Sequence, residues 1–155
     1  MLSAVTIEGQ KGQYKDHWLL DTGATTHMVC ALESMTNPTL LNPVVPVTLG
    51  DNTVINATHR GTVHLKINNQ GHERFITLHN SLYVPALNKN FINPNILVPY
   101  HSVQHSPEEH IVFNSSGEVI IHAVIRKDIG YVDAQVVKEE INSMSSGISI
   151  ELLYR

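Results

Sequence analysis

An all-β fold is what this sequence predicts, on three observations. From Gly61 to Ile67 apolar and polar residues alternate, with Val63, Leu65 and Ile67 on one face and Thr62, His64 and Lys66 on the other, the two-residue period of a half-buried strand. Pairs of β-rich runs are joined by turn clusters: Gly50-Asp51-Asn52, Asn68-Asn69-Gln70-Gly71 and Ser115-Ser116-Gly117. Hydrophobic residues make up 42% of the chain against 15% charged, which suits a packed core and argues against disorder. At 155 residues the chain fits one domain of ordinary size.

In order along the chain, Leu2, Val5 and Ile7 alternate weakly and predict a short strand that Gly9 and Gly12 end. Tyr14 to Leu20 predicts a strand whose last residues, Trp18-Leu19-Leu20, read as buried on both faces. Ala24-Thr25-Thr26 turns the chain before the apolar pair Met28-Val29. Ala31 to Thr39 reads as an irregular link, with Pro38, Pro43 and Pro46 as breakers. Val44 to Leu49 and Thr53 to Ala57 form a hairpin around Gly50-Asp51-Asn52, and His72 to Leu78 returns alongside Gly61 to Ile67. Ile111 through Ala123 is a further hairpin. Asp133 is placed to cap a short helix from Ala134 to Met144, stopped by Ser145-Ser146-Gly147, and Ile148, Ile150, Leu152 and Tyr154 then alternate as a late strand. The division expected is a domain over 1–131 and a C-terminal segment over 132–155.

Several function classes lose support at once. The formal charge is −4 and Lys and Arg are scattered, so no basic surface for nucleic acid is expected. Cys30 is the single cysteine, which rules out an intramolecular disulfide. No stretch has the make-up of a signal peptide or the length of an apolar membrane span, and the expectation is a soluble intracellular protein.

The chemistry concentrates in Trp18 to Cys30, WLLDTGATTHMVC. An apolar run leads into Asp21-Thr22-Gly23, a carboxylate at the mouth of a buried strand. Gly23 permits a tight turn and close backbone approach, and Thr22 adds a hydroxyl able to hold the turn. The tripeptide alone carries little, since Asp-(Thr/Ser)-Gly arises by chance in roughly one chain of this length in fifteen. Its bland reading is an ordinary turn after a strand. Its context carries more. Apolar-apolar-Asp-Thr-Gly-Ala resembles the active-site loop of retropepsins, and WLLDTGATTHMV resembles the proteases of copia-type LTR retrotransposons. A second segment, Leu82-Tyr83-Val84-Pro85-Ala86-Leu87-Asn88-Lys89-Asn90-Phe91-Ile92, is similar to the copia-type pattern Leu-Tyr-Val-Pro-X-Leu-X-X-Asn-Leu-Leu-Ser. The resemblance covers roughly Trp18 to Tyr131. It departs at Asn93, where copia-type members often have Ser and retropepsins generally have Gly; Asn tolerates left-handed geometry and bonds locally, so the ψ-shaped crossing behind the loop is expected to survive.

The resemblance implies a retropepsin-like closed barrel, one lobe per chain, in a homodimer with the active site on its two-fold axis. Asp16, Asp51, Asp128 and Asp133 all lack the following Thr/Ser-Gly pair, so one chain holds half an active site. Asp21 from each subunit would then be catalytic, one ionised and one protonated, dividing the base and acid roles. Thr22, Gly23, Ala24 and Thr25 would form the active-site loop, Thr22 locking to its twin. Leu49, Gly50, Asp51 and Asn52 would form the flap, a mobile lid over the peptide. The resemblance further implies the Gag-Pol polyprotein as substrate, cytoplasmic virus-like particles as the location, and neither cofactor nor metal. Leu2 to Ile7 and Ile148 to Tyr154 would supply the dimer interface, the alternative for the tail being a linker.

Other residues invite chemistry and receive plainer readings. His101, His105 and His110 lie around Pro107 without Cys or known ligand spacing, so solvated loop histidines are expected and not a metal site. His27 sits beyond the turn and is expected to pack or hydrogen-bond at the loop base. Cys30, with no positioned His partner, is expected in the core. Two rival functions stand beside the protease: a domesticated or inactive retropepsin-like module for dimerisation or peptide binding, and an unrelated β-barrel binding protein in which Asp21 is a turn residue.

Overall fold

The structure, a computed structural model, describes residues 17–97 and 102–138. The elements are β1 (Trp18–Leu20), β2 (Met28–Val29), a 3₁₀ turn (Leu32–Ser34), β3 (Thr36–Thr48), β4 (Val54–Asn69), β5 (His72–Tyr83), β6 (Asn90–Ile92), α1 (Pro94–Leu97), β7 (Ser102–His105), β8 (Glu109–Phe113), β9 (Val119–Arg126), β10 (Ile129–Val132) and β11 (Ala134–Val136). Among the described residues the protein is all-β apart from short helical turns. The strands expected at Leu2–Ile7 and Ile148–Tyr154 lie outside the described residues.

The β4–β5 hairpin forms where alternation and turn chemistry place it. Val63, Leu65 and Ile67 are fully buried on one face. At its turn Gln70 and Gly71 both take positive φ, 55° and 95°, and Asn68 Oδ1 accepts the Gly71 N–H at 2.6 Å. The β8–β9 hairpin also forms, with Gly117 at φ 84° and Asn114 Oδ1 accepting the N–H groups of Ser116 and Glu118.

The irregular link expected over Ala31 to Thr39 is corrected by β3, a 13-residue strand through all three prolines. Its position explains this. Among the described residues β3 pairs with β4 alone, so its other edge has no ladder there to satisfy. Pro38 and Pro43 fall in the two breaks of register, between Thr36 and Thr39 and between Leu40 and Val45. β7 was likewise expected as loop; it pairs antiparallel with β8, Ser102 opposite Phe113 through His105 opposite His110.

The strand order is β11-β4-β5-β2-β6-β1-β10-β9-β8-β7. Among the described residues this path does not close, β7 and β11 being its ends, where a closed barrel was expected. β6 lies between β1 and β2, parallel to the first and antiparallel to the second, so Phe91 and Ile92 thread between the two arms of the Asp21 loop. The ψ-shaped crossing therefore forms. Phe91 and Ile92 are 1% and 0% exposed and enter separate core clusters, one with Leu19, Met28, Cys30 and Leu82, the other with Trp18, Val29, Leu65 and Ile121.

A helix from Ala134 is not what the chain does. Ala134–Val136 is β11, paired antiparallel with Leu65–Ile67 of β4, with Ala134 and Val136 packed on the core. Asp133, expected as a cap, gives its carbonyl to Asn68 N–H at 2.9 Å. Long-range pairing overrides local helix preference here; the remainder of the expected helix, from residue 139 on, lies outside the described residues. The boundary expected after Tyr131 falls inside β10, where Val132 is buried and opposite Trp18.

Candidate functional site

Asp21 stands directly after β1, half-buried, with its backbone N–H bonded to Ile92 O at 2.9 Å. Its carboxylate accepts the Gly23 N–H at 2.9 Å. Thr22, Gly23 and Thr25 are exposed and Ala24 is half-buried. Gly23 does not use left-handed backbone; a Cβ built there would meet Asp21 Oδ1 at 3.4 Å, an ordinary contact. The fold of the described chain therefore does not itself demand glycine, as the sequence had suggested.

The loop is held from behind by the residues that follow β6. Asn93, 4% exposed, donates its amide to Ala24 O and accepts the Asn95 N–H on Oδ1 at 2.9 Å. Asn95 reaches Thr22 O at 3.4 Å. His27 is 2% exposed, and its Nδ1 lies 3.0 Å from Asn93 N, which donates to it. That is the hydrogen-bonding place at the loop base expected for His27. Burial, with His79 nearby as the lesser cause, lowers its pKa from 6.5 to about 4. Asn90 completes the frame: its Oδ1 accepts Cys30 N–H at 2.9 Å and its Nδ2 donates to His17 O at 3.0 Å, tying β2 to the chain before β1. Cys30 is buried in the core.

Opposite the loop stands the β3–β4 hairpin. A cleft of about 410 Å³ has Asp21, Gly23, Ala24 and Thr25 on one side and Val47, Thr48, Leu49 and Gly50 on the other. The hairpin tip is closed by Leu49 N–H to Thr53 O at 2.8 Å and Asn52 N–H to Leu49 O at 2.9 Å, with Asn52 at φ 70°. Leu49 and Gly50 line the cleft. Asp51 turns away to the tip, where its carboxylate accepts both the hydroxyl and the N–H of Thr53; those bonds hold its pKa below the ordinary carboxylate value.

A second recess, about 310 Å³, touches Asp21 and Thr22 from the β10 side and includes His105, His110 and Asp128. The two imidazoles, expected in a loop, sit opposite each other across β7–β8, Nδ1 to Nδ1 3.3 Å apart. His101 is outside the described residues. Among the described residues no three His, Cys, Asp or Glu side chains gather as a metal site requires. A larger cleft, about 770 Å³ and lined by residues such as Trp18, Arg126 and Tyr131, shares no lining residue with the cleft between loop and hairpin. The smaller cleft is the candidate site because a carboxylate, a glycine-bearing loop and a hairpin converge on it.

Sequence reasoning missed Asn90 and Asn95 as frame residues. A signal existed: Asn residues bracket the buried Phe91-Ile92 pair, and Asn side chains readily bond nearby backbone. What they bond, though, lies on segments far away in sequence.

Residues 18–98 match the family model of the Pol polyprotein, beta-barrel domain. The match starts at Trp18 and contains both arms of the loop, the hairpin and the crossing strand. Comparisons with curated proteins and with solved structures found no match.

Proposed function

The chain belongs to the Pol polyprotein beta-barrel domain family, a region of a retroelement Pol polyprotein, and on that premise we propose that it is a homodimeric aspartic endopeptidase of copia type that processes the Gag-Pol polyprotein. The observation that carries the reading is the cleft in which the half-buried Asp21, its loop threaded by β6, faces the β3–β4 hairpin.

In the dimer the two Asp21 carboxyls lie across a two-fold axis, close enough that they cannot both ionise. The ionised one takes a proton from a water held between them, and the oxygen attacks the scissile carbonyl. The protonated one donates to the carbonyl oxygen, and a proton then passes to the leaving amine as the C–N bond breaks. Gly23 N–H, already on Asp21 Oδ1, keeps the carboxylate oriented. An extended peptide lies between loop and hairpin, where backbone groups on both sides can pair with it and Leu49 and Gly50 cover it from water. Thr22, exposed beside Asp21, is free to meet its twin.

Incubation of wild type and Asp21→Asn with a candidate polyprotein, across pH, tests this. Wild type is expected to cut best below neutrality, to be blocked by statine inhibitors, and to sediment as a concentration-dependent dimer; the variant is expected to fold and not cut. Cleavage that persists in Asp21→Asn, or that needs a chelatable metal, would overturn the assignment. A wild type that binds peptide without cutting it would favour the inactive-module alternative.

A further inference from the structure

Resting on the protease reading, we propose that His27 and Asn93 are a positioning pair that sets the Asp21 loop, and that cleavage stops when His27 takes a proton. The geometry is specific. Nδ1 of His27 accepts the Asn93 N–H at 3.0 Å, which requires that nitrogen to be bare and the ring, if neutral, to carry its proton on Nε2. Asn93 then spreads the constraint forward. Its amide group holds Ala24 O, and its Oδ1 holds Asn95 N–H, while Asn95 reaches Thr22 O. The carbonyls on both sides of Gly23, the residue that holds the Asp21 carboxylate, are thus fixed by a two-residue clamp whose own anchor is the imidazole.

Protonating His27 puts an N–H where the Asn93 N–H needs an acceptor. Two donors then face each other in a site with little water to relieve them. The surroundings resist that event. The recess next to the ring is lined by Thr26, Thr77, His79, Asn80, Ile96 and Leu97; His79, from β5, is the titratable side chain among these, and its charge would oppose a second positive charge. The ring is therefore neutral throughout mildly acid conditions and gains its proton near pH 4. An enzyme that works below neutrality then has an acid limit supplied by a residue that never touches the peptide.

His27→Asn is the informative variant, because an amide Oδ1 can replace Nδ1 as acceptor and does not titrate. His27→Leu removes the acceptor, and Asn93→Leu removes both side-chain bonds of the clamp while keeping the backbone N–H. Wild type is expected to lose kcat as pH falls through about 4, with the loss displaced to lower pH in His27→Asn. Asn93→Leu and His27→Leu are expected to lower kcat about tenfold to a hundredfold with KM within about twofold, in samples matched for folded dimer. Nitrogen NMR of Asp21→Asn, which cannot digest itself, should find Nδ1 of His27 unprotonated at pH 6. Identical acid limbs in wild type and His27→Asn, or an Nδ1-protonated ring at pH 6, would overturn the inference. If wild type cuts nothing at any pH, it is the protease reading that falls, and the NMR result still decides whether His27 anchors Asn93.

Discussion

The backbone N–H of Asn93 donates to Nδ1 of His27 at 3.0 Å, across 66 residues of sequence, and both residues are almost wholly buried. This one bond joins the crossing strand to the far arm of the Asp21 loop. A neutral imidazole is thereby part of the folded state, with consequences for stability as well as for chemistry.

The first concerns pH. His27 has its folded pKa lowered from 6.5 to about 4, so between those values the unfolded chain binds the proton and the folded chain does not. Its contribution is fully present above about pH 6.5 and is lost as pH falls toward about 4. The size is on the order of 3 kcal/mol. Urea unfolding at a series of pH values should show wild type losing stability over this window more steeply than His27→Asn; parallel curves would refute it.

On the proposed protease reading, Gly23 offers a way to separate folding from cleavage. Its only close neighbour for an added Cβ among the described residues is Asp21 Oδ1, at 3.4 Å, so Gly23→Ala should unfold within about 0.5 kcal/mol of wild type. On the proposed path of the peptide the same methyl intrudes, and cleavage should fall at least about tenfold. Normal cleavage by this variant would remove Gly23 from the substrate path.

Gly61 makes the opposite case. An added Cβ would meet Met35 Sδ at 2.9 Å, Pro38 Cα at 3.2 Å and Thr36 O at 3.3 Å, two of them backbone atoms that cannot swing aside. Here β3 crosses close over β4. Gly61→Ala should cost about 1–3 kcal/mol, read by thermal or urea unfolding; equal stability would show that β3 lifts away freely.

At the hairpin tip, Asp51→Ala removes the acceptor for the Thr53 hydroxyl and N–H without touching the core. Peptide affinity should weaken a few-fold, seen as a higher KM, while the unfolding midpoint stays put. Because Asp51 titrates below the ordinary carboxylate range, the tip bonds persist into mildly acid solution and fail only at lower pH. Unchanged KM in Asp51→Ala would mean that the tip needs no such bracing.

What could be read from the sequence followed a physical division. β4 was legible because one face is buried and the other not, which imprints alternation on Val63, Leu65 and Ile67. β7 was not, since all four of its residues are exposed and leave no period to detect. β3 was hidden by its prolines, which a strand that is an edge among the described residues and has breaks in register can accommodate. At Ala134 the local helix signal was outweighed by pairing with Leu65–Ile67, which no local window contains. The place of Asp21 was visible in its tripeptide, and His27 was visible as a loop-base residue. The clamp through Asn93 and Asn95 was not, because its targets Ala24 and Thr22 lie 69 and 73 residues earlier. Asp51 was expected in the hairpin that would form the flap, and the partner its short side chain finds there, Thr53, is two residues away.

The insertion of β6 between β1 and β2 also sets an order of events during translation. A nascent chain releases Asp21 from the ribosome long before Phe91 to Asn93 emerge, and until they do the carboxylate has neither Ile92 O behind its backbone nor Asn93 beside its loop. On the proposed protease reading, chains stalled short of residue 93 should therefore be inert toward their own polyprotein, whatever their concentration. If the proposed protease activity holds, the topology of the sheet would thereby postpone self-digestion during synthesis.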